Sequence, residues 1–251
     1  MQGRARYQRV ADDLRDAINR GDYTPEEALP TEQQLIERYG YSRPTIRQAI
    51  ALLRTEGLID VEQGRGTFIR GRRPVRRVTS DRYTKAADAG QSPFRTEAAA
   101  AGIAGRGEVL GVEIIAAQGD VALWLEVPDG TEAVLRRRLL FANDEPIQIY
   151  DGYMPRTLVA GTDLESPRLI TEGTYKALAS IGHPPHHCSE ELTSRMPTAK
   201  EIDMLQLRPS IPVVRVIRIT RDEPGQVLQA LRIIAAADRN VFTYDNLPVR
   251  S

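Results

Sequence analysis

Helix start and stop signals alternate over residues 31–57 and constrain the fold of this chain more than any other feature. Thr31 is a favourable N-cap, and Gln34, three residues further on, completes a capping box. Gly40 predicts the end of that helix, Ser42 the N-cap of the next helix, and Gly57 its end. Two helices joined by a turn of about three residues have the spacing of a helix-turn-helix.

Another helix precedes this pair, and a hairpin follows it. The earlier helix ends before Gly21, and its apolar stripe is formed by Tyr7, Val10, Leu14 and Ile18. Strand-like runs at 58–62 and 67–70 flank the turn Gln63-Gly64-Arg65-Gly66, where the glycines allow positive φ. This order predicts a winged helix-turn-helix, a fold that inserts its recognition helix into the major groove of DNA.

The exposed face of the third helix carries side chains that suit DNA contact. They are Arg43, Thr45, Arg47 and Gln48, which can donate to guanine, bond adenine or bind phosphate. Arg65 at the hairpin tip suits contact with phosphate or the minor groove. Taken singly, an apolar stripe is usually core and a Gly-x-Gly hairpin is usually only a turn. All of these features in this order are much less common by chance.

Charge is unevenly distributed, although Lys+Arg and Asp+Glu both total 34. Residues 42–77 hold nine Arg against three acidic residues. A basic region on a neutral chain is typical of a protein that binds a polyanion, and a solvated charged face is the alternative.

Residues 7–70 resemble the DNA-binding domain of the GntR family of bacterial transcriptional regulators. The matching segments are Leu29-Pro30-Thr31-Glu32-Gln33-Gln34-Leu35, Tyr41-Ser42-Arg43-Pro44-Thr45-Ile46-Arg47-Gln48-Ala49, Glu56-Gly57-Leu58-Ile59 and Gln63-Gly64-Arg65-Gly66-Thr67-Phe68. The resemblance implies DNA contacts by Thr31, Glu32, Ser42, Arg43, Thr45, Arg47 and Gly64. With Gln33, Gln48, Arg65 and Gly66, these residues form the predicted DNA-binding set. Some members carry a base-contacting Arg where this chain has Gln33, so their operator sequences do not transfer.

The composition then predicts three parts: a winged helix-turn-helix domain over 1–70, a linker over 71–91 and an α+β domain over 92–251. The linker begins with a basic stretch at 71–77 that contains Pro74 and shows no periodicity. We expect the four arginines of this stretch to touch the DNA backbone, with simple solvation as the alternative. In the third part we predict strands at 109–117, 133–141, 146–154, 188–196, 213–220 and 227–236. We predict helices at 121–127, 174–181 and 199–207, the last capped by Thr198. The strands are mostly antiparallel, with hairpin turns at Asn143-Asp144 and at 223–226.

This third part resembles the UTRA effector domain of the HutC subfamily of GntR regulators. The matching pieces are Phe94-x-x-Glu97-x-x-x-x-Gly102, Arg138 before Asn143-Asp144-Glu145-Pro146, Tyr153-Met154-Pro155, Thr174-Tyr175-x-x-Leu178, Pro197-Thr198-Ala199-x-Glu201, Leu205-x-Leu207, Pro212-Val213, Arg218-Ile219-Thr220 and Asp238-Arg239-x-x-Phe242. The resemblance implies a chorismate-lyase-like fold with a mostly antiparallel sheet. It further implies a homodimer that binds a DNA operator and releases it, usually as a repressor, when a small-molecule effector binds.

The predicted effector pocket departs from the members that sense sugar phosphates. Those members carry an Arg-x-Arg pair and a Glu in this hairpin, where this chain has Arg138, Leu140 and Tyr150. Loss of one cation and one carboxylate removes two charge-assisted bonds, which favours a more apolar or aromatic effector. We expect Arg138 to anchor an anion and Tyr150 to stack or donate, with half-buried strand packing as the alternative role of Tyr150. The predicted effector-binding set is Phe94, Arg95, Arg138, Tyr150, Thr171 and Tyr175.

Other functions are less well supported by the sequence. His183, His186 and His187 precede Cys188, but two prolines forbid a helix there and no second ligand pair has a standard metal spacing. We expect no cofactor and no catalytic residues, and a packed thiol at Cys188. A chorismate-lyase-like activity and a DNA-binding dimer without an effector stay open as alternatives. The single cysteine, the lack of a secretory signal and the lack of a membrane-length apolar run predict a cytoplasmic protein.

Overall fold

The computed structural model describes residues 5–24, 28–62, 64–69, 75–78, 92–208 and 210–244. The chain divides into two compact units, Met1–Arg73 and Pro74–Ser251. No helix in the described ranges is both long and apolar enough to cross a bilayer.

The first unit is a winged helix-turn-helix. Its elements are α1 (Arg6–Arg20), α2 (Glu32–Tyr39), α3 (Arg43–Thr55), β1 (Ile59–Glu62) and β2 (Gly66–Ile69). The hydroxyl of Thr31 accepts from the backbone N–H of Gln34, and the Gln34 side chain closes the predicted capping box. Gly21 and Gly40 end the first two helices in the left-handed conformation, as the sequence predicts. The core of the unit is a cluster of buried side chains: Val10, Ala11, Leu14, Leu29, Leu35, Ile46, Ala49, Leu53 and Ile59.

The second unit is an α+β domain built on one antiparallel sheet. Its helices are α4 (Pro93–Ala100), α5 (Asp120–Leu125), α6 (Arg156–Val159), α7 (Thr174–Ser180) and α8 (Ala199–Leu205), with a 3₁₀ turn at Asp163–Glu165. Its strands are β3 (Val75–Val78), β4 (Gly105–Ala116), β5 (Glu132–Ala142), β6 (Glu145–Pro155), β7 (His187–Arg195), β8 (Val213–Arg221), β9 (Val227–Ala236) and β10 (Asn240–Thr243).

Six strands form the main sheet in the order β4-β5-β6-β9-β8-β7, and all of its pairs are antiparallel. Strands β5 and β6 form the predicted hairpin, with Asn143 in the left-handed conformation at φ 54°. One face of the sheet packs against α4 and β3, and also against α6 and α7. The opposite face packs against α5 and α8. Both faces of the central strands are therefore buried, and nearly every residue of β6 is buried, whereas the edge strands β4 and β7 have many exposed residues.

Gly105 allows α4 to lie close to the sheet, and Gly107 makes room for a side chain of the neighbouring strand β5. A Cβ on Gly105 would stand 2.7 Å from the Cβ of Ala98, and one on Gly107 would stand 3.1 Å from the Cδ2 of Leu140. Phe94 and Ala98 of α4 are buried against the sheet as a result. The sequence prediction missed this helix, although Pro93 in its first turn is a known start signal.

The linker prediction is wrong for residues 75–78. These residues form strand β3, which pairs in parallel with β10, and the N–H of Val75 donates to the Arg239 carbonyl at 3.0 Å. Val75 is buried in the core of the second unit, and that burial outweighs the turn-forming tendency of the neighbouring Pro74. The rest of the predicted linker, and the side chains of the four arginines at 71–77, lie outside the described residues.

Three helix ends also differ from the prediction. Ser42 occupies the N-cap position of α3, but its hydroxyl lies 3.0 Å from the Thr45 hydroxyl and makes no backbone cap. Helix α5 ends at Leu125 because Glu126 is left-handed, and α8 ends at Leu205 because Gln206 is left-handed. The capping box of Thr198 and Glu201 at the start of α8 is confirmed.

Candidate nucleic-acid interface and ligand cavity

The start of α3 presents an exposed polar surface. Ser42, Arg43, Arg47 and Gln48 are exposed, and Thr45 is half-buried. The buried side of the same helix, with Ile46, Ala49 and Leu53, fixes which side chains face outward. An exposed helix start with two arginines and a glutamine supplies donors and acceptors that match base edges in the major groove.

The starts of α2 and α3 are joined by an ion pair. The Nε of Arg47 lies 3.4 Å from the Oε1 of Glu32, and the side chains are 70% and 41% exposed. The pair orients the guanidinium while leaving most of it accessible. On the next turn, Gln33 donates to Glu37 at 3.1 Å. Of the α2 residues in the predicted set, Glu32 is thus the one that contacts a predicted base reader.

The wing is positioned by backbone contacts. The N–H of Leu29 donates to the Thr67 carbonyl at 2.6 Å, and Ala28 bridges to Phe68. Gly64 and Gly66 both have positive φ, at 79° and 126°, which a residue with a side chain rarely adopts. The guanidinium of Arg65 lies over the Phe68 ring at 5.9 Å. These contacts hold an exposed cation at the tip of the hairpin.

The second unit contains a cavity of about 470 Å³ between the sheet and its covering segments. Its floor comes from β4, β5, β6, β8 and β9, and its walls from residues 92–95 and 169–176 and from Pro185. All six predicted effector residues line this cavity: Phe94, Arg95, Arg138, Tyr150, Thr171 and Tyr175. A volume of this size suits a small metabolite.

The middle of the floor combines an arginine with a tyrosine. Arg138 and Tyr150 are cross-strand partners on β5 and β6, and the guanidinium lies 5.4 Å from the centre of the ring. Tyr150 is 6% exposed. Leu140 and Leu231 make the floor beside them apolar. An anion with an apolar or aromatic body fits this combination.

Charge around the cavity is positive. Four of its lining residues, Arg95, Arg138, Lys176 and Arg218, are cations, and Glu172 is the anion among them. Arg218 is itself buried and its Nε donates to the buried Glu190 at 2.5 Å. The Tyr244 hydroxyl donates to the other oxygen of Glu190 at 3.0 Å. The remaining imbalance favours a ligand with negative charge.

A second buried arginine fixes one wall of the cavity. Arg136 is 4% exposed and donates to the carbonyls of Leu164 and Arg168 at 2.9 and 2.8 Å, and also to Ser166. Burial, together with the nearby charge of Arg138, lowers the pKa of Arg136 to about 10. Arg136 therefore stays charged near neutral pH while it ties residues 163–168 to the sheet. The chain continues from there directly into the wall at 169–176.

Sequence reasoning missed several residues of the cavity. Arg218 lies in a segment that resembles the UTRA domain, but the sequence does not predict it as a lining residue because its strand is distant in sequence from Arg138. Gln229 and Leu231 on β9, and Glu172 and Lys176 on the wall, also line the cavity. Strand alternation would have placed Leu231 on the same face as Ile233, but strand order is needed to bring β9 beside β6.

The histidine segment shows no site of its own. His186 and His187 contact each other edge to face, with ring centroids 5.9 Å apart. Over the described ranges, no three His, Cys, Asp or Glu side chains are grouped closely enough to hold a metal ion. Cys188 is half-buried on β7, opposite Thr220 of β8.

A winged helix-turn-helix in one unit and a cationic ligand cavity in the other define a DNA-binding regulator with a ligand-sensing domain. Residues 6–69 match the family model of the bacterial regulatory proteins of the gntR family, and residues 100–240 match the UTRA domain. The chain is 31% identical over 247 residues to an uncharacterised HTH-type transcriptional regulator of Streptomyces coelicolor, SCO4628, covering 96% of this chain and 92% of the relative. It is 28% identical over 220 residues to the histidine utilization repressor of Klebsiella aerogenes, covering 85% and 83%. The crystal structure of a GntR-family transcriptional regulator superposes with a TM-score of 0.66 at 26% identity, covering 98% and 99%.

The chain therefore belongs to the GntR family, in the HutC-like group that carries a UTRA domain. It is a DNA-binding transcriptional regulator with an effector-binding domain, and its relatives are regulators rather than enzymes.

Proposed function

We propose that this chain is a homodimeric repressor that binds an inverted-repeat operator and is released by a small anionic effector. The observation that carries the proposal is the convergence of the six predicted effector residues on one cationic cavity, in a chain that also has a DNA-reading unit. Repression is proposed by analogy with relatives such as the histidine utilization repressor. The site of action is then the bacterial cytoplasm, where the DNA lies.

In this proposal the start of α3 reads base edges. Arg43, Arg47 and Gln48 face the major groove, and Glu32 orients Arg47 through their 3.4 Å contact. Ser42 and Thr45 bond the backbone or a base, while Thr31 and Gln33 lie at the start of α2, where phosphates approach. Gly64, Arg65 and Gly66 contact the phosphate backbone or minor groove from the wing.

The effector binds in the cavity with its acid group at Arg138. Tyr150 supports the body of the ligand, Phe94 and Arg95 form the rim, and Thr171 and Tyr175 add hydroxyl groups from the wall. Release of DNA requires that the effector bind one geometry of the dimer more tightly than the other, because a ligand with equal affinity for both shifts nothing.

Selection of bound duplexes from random sequence, using the full chain, tests the DNA part of this proposal. We expect an inverted repeat, and footprinting that shows two half-sites on one face of the duplex. A metabolite screen for release of the selected operator then tests the sensing part. A single asymmetric half-site bound by a monomer would contradict the dimeric repressor, and binding that no metabolite alters would contradict the sensor.

A further inference from the structure

A buried glutamine, Gln229, lies on the cavity floor at a distance from Arg138. Gln229 is 3% exposed and lines the cavity. Tyr150, the cross-strand partner of Arg138, aligns with Ile233 on β9, four residues beyond Gln229. Four residues along a strand span about 14 Å, and β5 lies about 10 Å from β9 across β6. Arg138 and Gln229 therefore mark two separate ends of one floor.

No side-chain hydrogen bond of the Gln229 amide occurs among the described residues, and its atoms are not among the fully buried polar atoms without a partner, because the side chain borders the cavity. Its position is defined nevertheless. A Cβ on Gly152 would stand 3.1 Å from the Gln229 Nε2, so the missing side chain of Gly152 makes room for the amide. Leu231, on the same strand, separates this amide from the Arg138 end. An oriented buried amide that faces a cavity is a hydrogen-bonding group for whatever occupies the cavity.

We propose that the effector is a two-ended molecule, with an acid group at Arg138 and a neutral hydrogen-bonding group, such as a hydroxyl or amide, at Gln229. This inference rests on the proposed function and names the chemical class of its ligand. The apolar part of the ligand covers Tyr150 and Leu231 between the two ends. Gln229 is then a specificity-determining residue, because an analogue without the polar end leaves its amide buried and unpaired.

The test compares paired acids by thermal shift of the full chain. The probes are straight-chain alkanoates of increasing length with the matching ω-hydroxy acids, and phenylpropanoate with its para-hydroxyl derivative. For at least one pair, we expect the hydroxylated acid to bind the wild-type chain at least about tenfold more tightly than its parent. In Gln229→Leu this preference should disappear or reverse.

A matched control separates recognition from folding. Gln148 is also a buried glutamine, on the adjacent strand β6, but its Nε2 donates to Asn240. We expect Gln148→Leu to lower the melting temperature of the ligand-free chain, because it leaves Asn240 without this donor. Gln229→Leu should leave that temperature unchanged or raise it.

Three results would overturn the inference: a loss of stability in Gln229→Leu equal to that in Gln148→Leu, a hydroxyl preference that survives Gln229→Leu, or no stabilisation of the wild-type chain by any acid of the panel. Operator binding by the same preparation distinguishes these failures from failure of the proposed function. A chain that binds its operator and responds to a metabolite outside this class remains an effector-controlled regulator, with the ligand class wrong.

Discussion

Arg47 combines accessibility with a fixed direction. Its guanidinium is largely exposed, yet the carboxylate of Glu32 on the preceding helix holds its Nε. The pair leaves the terminal nitrogens available, and these are the atoms that bond guanine in a bidentate contact.

We expect Arg47→Ala to cost about 1–3 kcal/mol of operator binding and to relax specificity at one base position. Fluorescence anisotropy with the selected operator and its single-base variants measures both effects. Arg54, also exposed but at the far end of α3, is the matched control, and Arg54→Ala should keep the base preference. Equal affinity and equal preference in Arg47→Ala would remove its role as a base reader.

Arg138 provides a residue-scale test of the cavity. Arg138→Ala should weaken binding of the effector by about 2 kcal/mol or more, because it removes a charge-assisted bond. Release of the operator by the effector should then be lost. Operator binding should persist, since Arg138 belongs to the second unit. Arg106→Ala is the control, because this exposed arginine on β4 lies over Phe141 and does not line the cavity. Retained release in Arg138→Ala would show that the anion binds elsewhere.

At the scale of elements, the buried Arg136 ties the segment 163–168 to the sheet through several backbone carbonyls. Replacing Arg136 with Met keeps most of the side-chain length but removes every hydrogen bond that the guanidinium donates to the carbonyls of that segment. We expect the free energy of unfolding to fall by about 2–4 kcal/mol, with partial recovery in Arg136→Lys, which lacks the planar fork. Fluorescence of Trp124 reports this change, because it is the only tryptophan of the chain and lies in α5 of the second unit. Wild-type stability in Arg136→Met would contradict a clamping role.

The start of α8 predicts a dependence on pH. Burial raises the pKa of Glu201, but bonds from Arg195 at 2.7 Å and from the N–H of Thr198 at 2.8 Å outweigh it, so the net pKa is lowered. A lowered pKa in the folded state stabilises the fold above the unfolded pKa of about 4.3, and this contribution is lost as the pH falls through the folded value.

Glu201→Gln should therefore cost about 1 kcal/mol near neutral pH and progressively less below about pH 4. Urea titrations followed by Trp124 fluorescence at several pH values measure the difference. Glu191→Gln, at an exposed position on β7, is the control. It should change the free energy of unfolding neither near neutral pH nor below about pH 4. A cost that does not depend on pH would show that packing, rather than charge, explains the effect of Glu201.

The elements that sequence reasoning predicted are those with a local signal. The Thr31 and Thr198 capping boxes, the glycine stops and the Asn143-Asp144 turn depend on residues close together in the chain. Strand β3 and the role of Gln229 depend on partners far along the chain, such as β10 and Gly152. The cavity set was reached only through resemblance, and its binding roles stay predictions.

At the scale of the whole molecule, strand β3, near the start of the second unit, packs into the core of that unit. Val75 is 1% exposed and belongs to the cluster that includes the cavity residues Phe94, Leu140, Tyr150 and Leu231. A shift of these cavity residues would therefore alter the packing of Val75 and of strand β3.

We expect Val75→Ala to lower the free energy of unfolding by about 1–3 kcal/mol and to reduce the ratio of operator affinities without and with effector. Val213→Ala, in a separate buried cluster on the other face of the sheet, is the control for stability. It should cost a similar amount and leave the affinity ratio unchanged. An unaltered ratio in Val75→Ala would mean that signals leave the cavity by another route.

The parallel pairing of β3 with β10 also separates two properties that evolution can adjust. Backbone hydrogen bonds fix the register of β3 on β10, with Val75 opposite Asn240. We therefore expect residues inserted before Val75 to lengthen the connection between the two units without altering the cavity. In the proposed dimer, the spacing between the two halves of the operator can then change while the effector preference is retained. Conversely, under the role proposed for Gln229, a change at that residue would alter which effector is bound without altering the distance that the DNA-binding units can span.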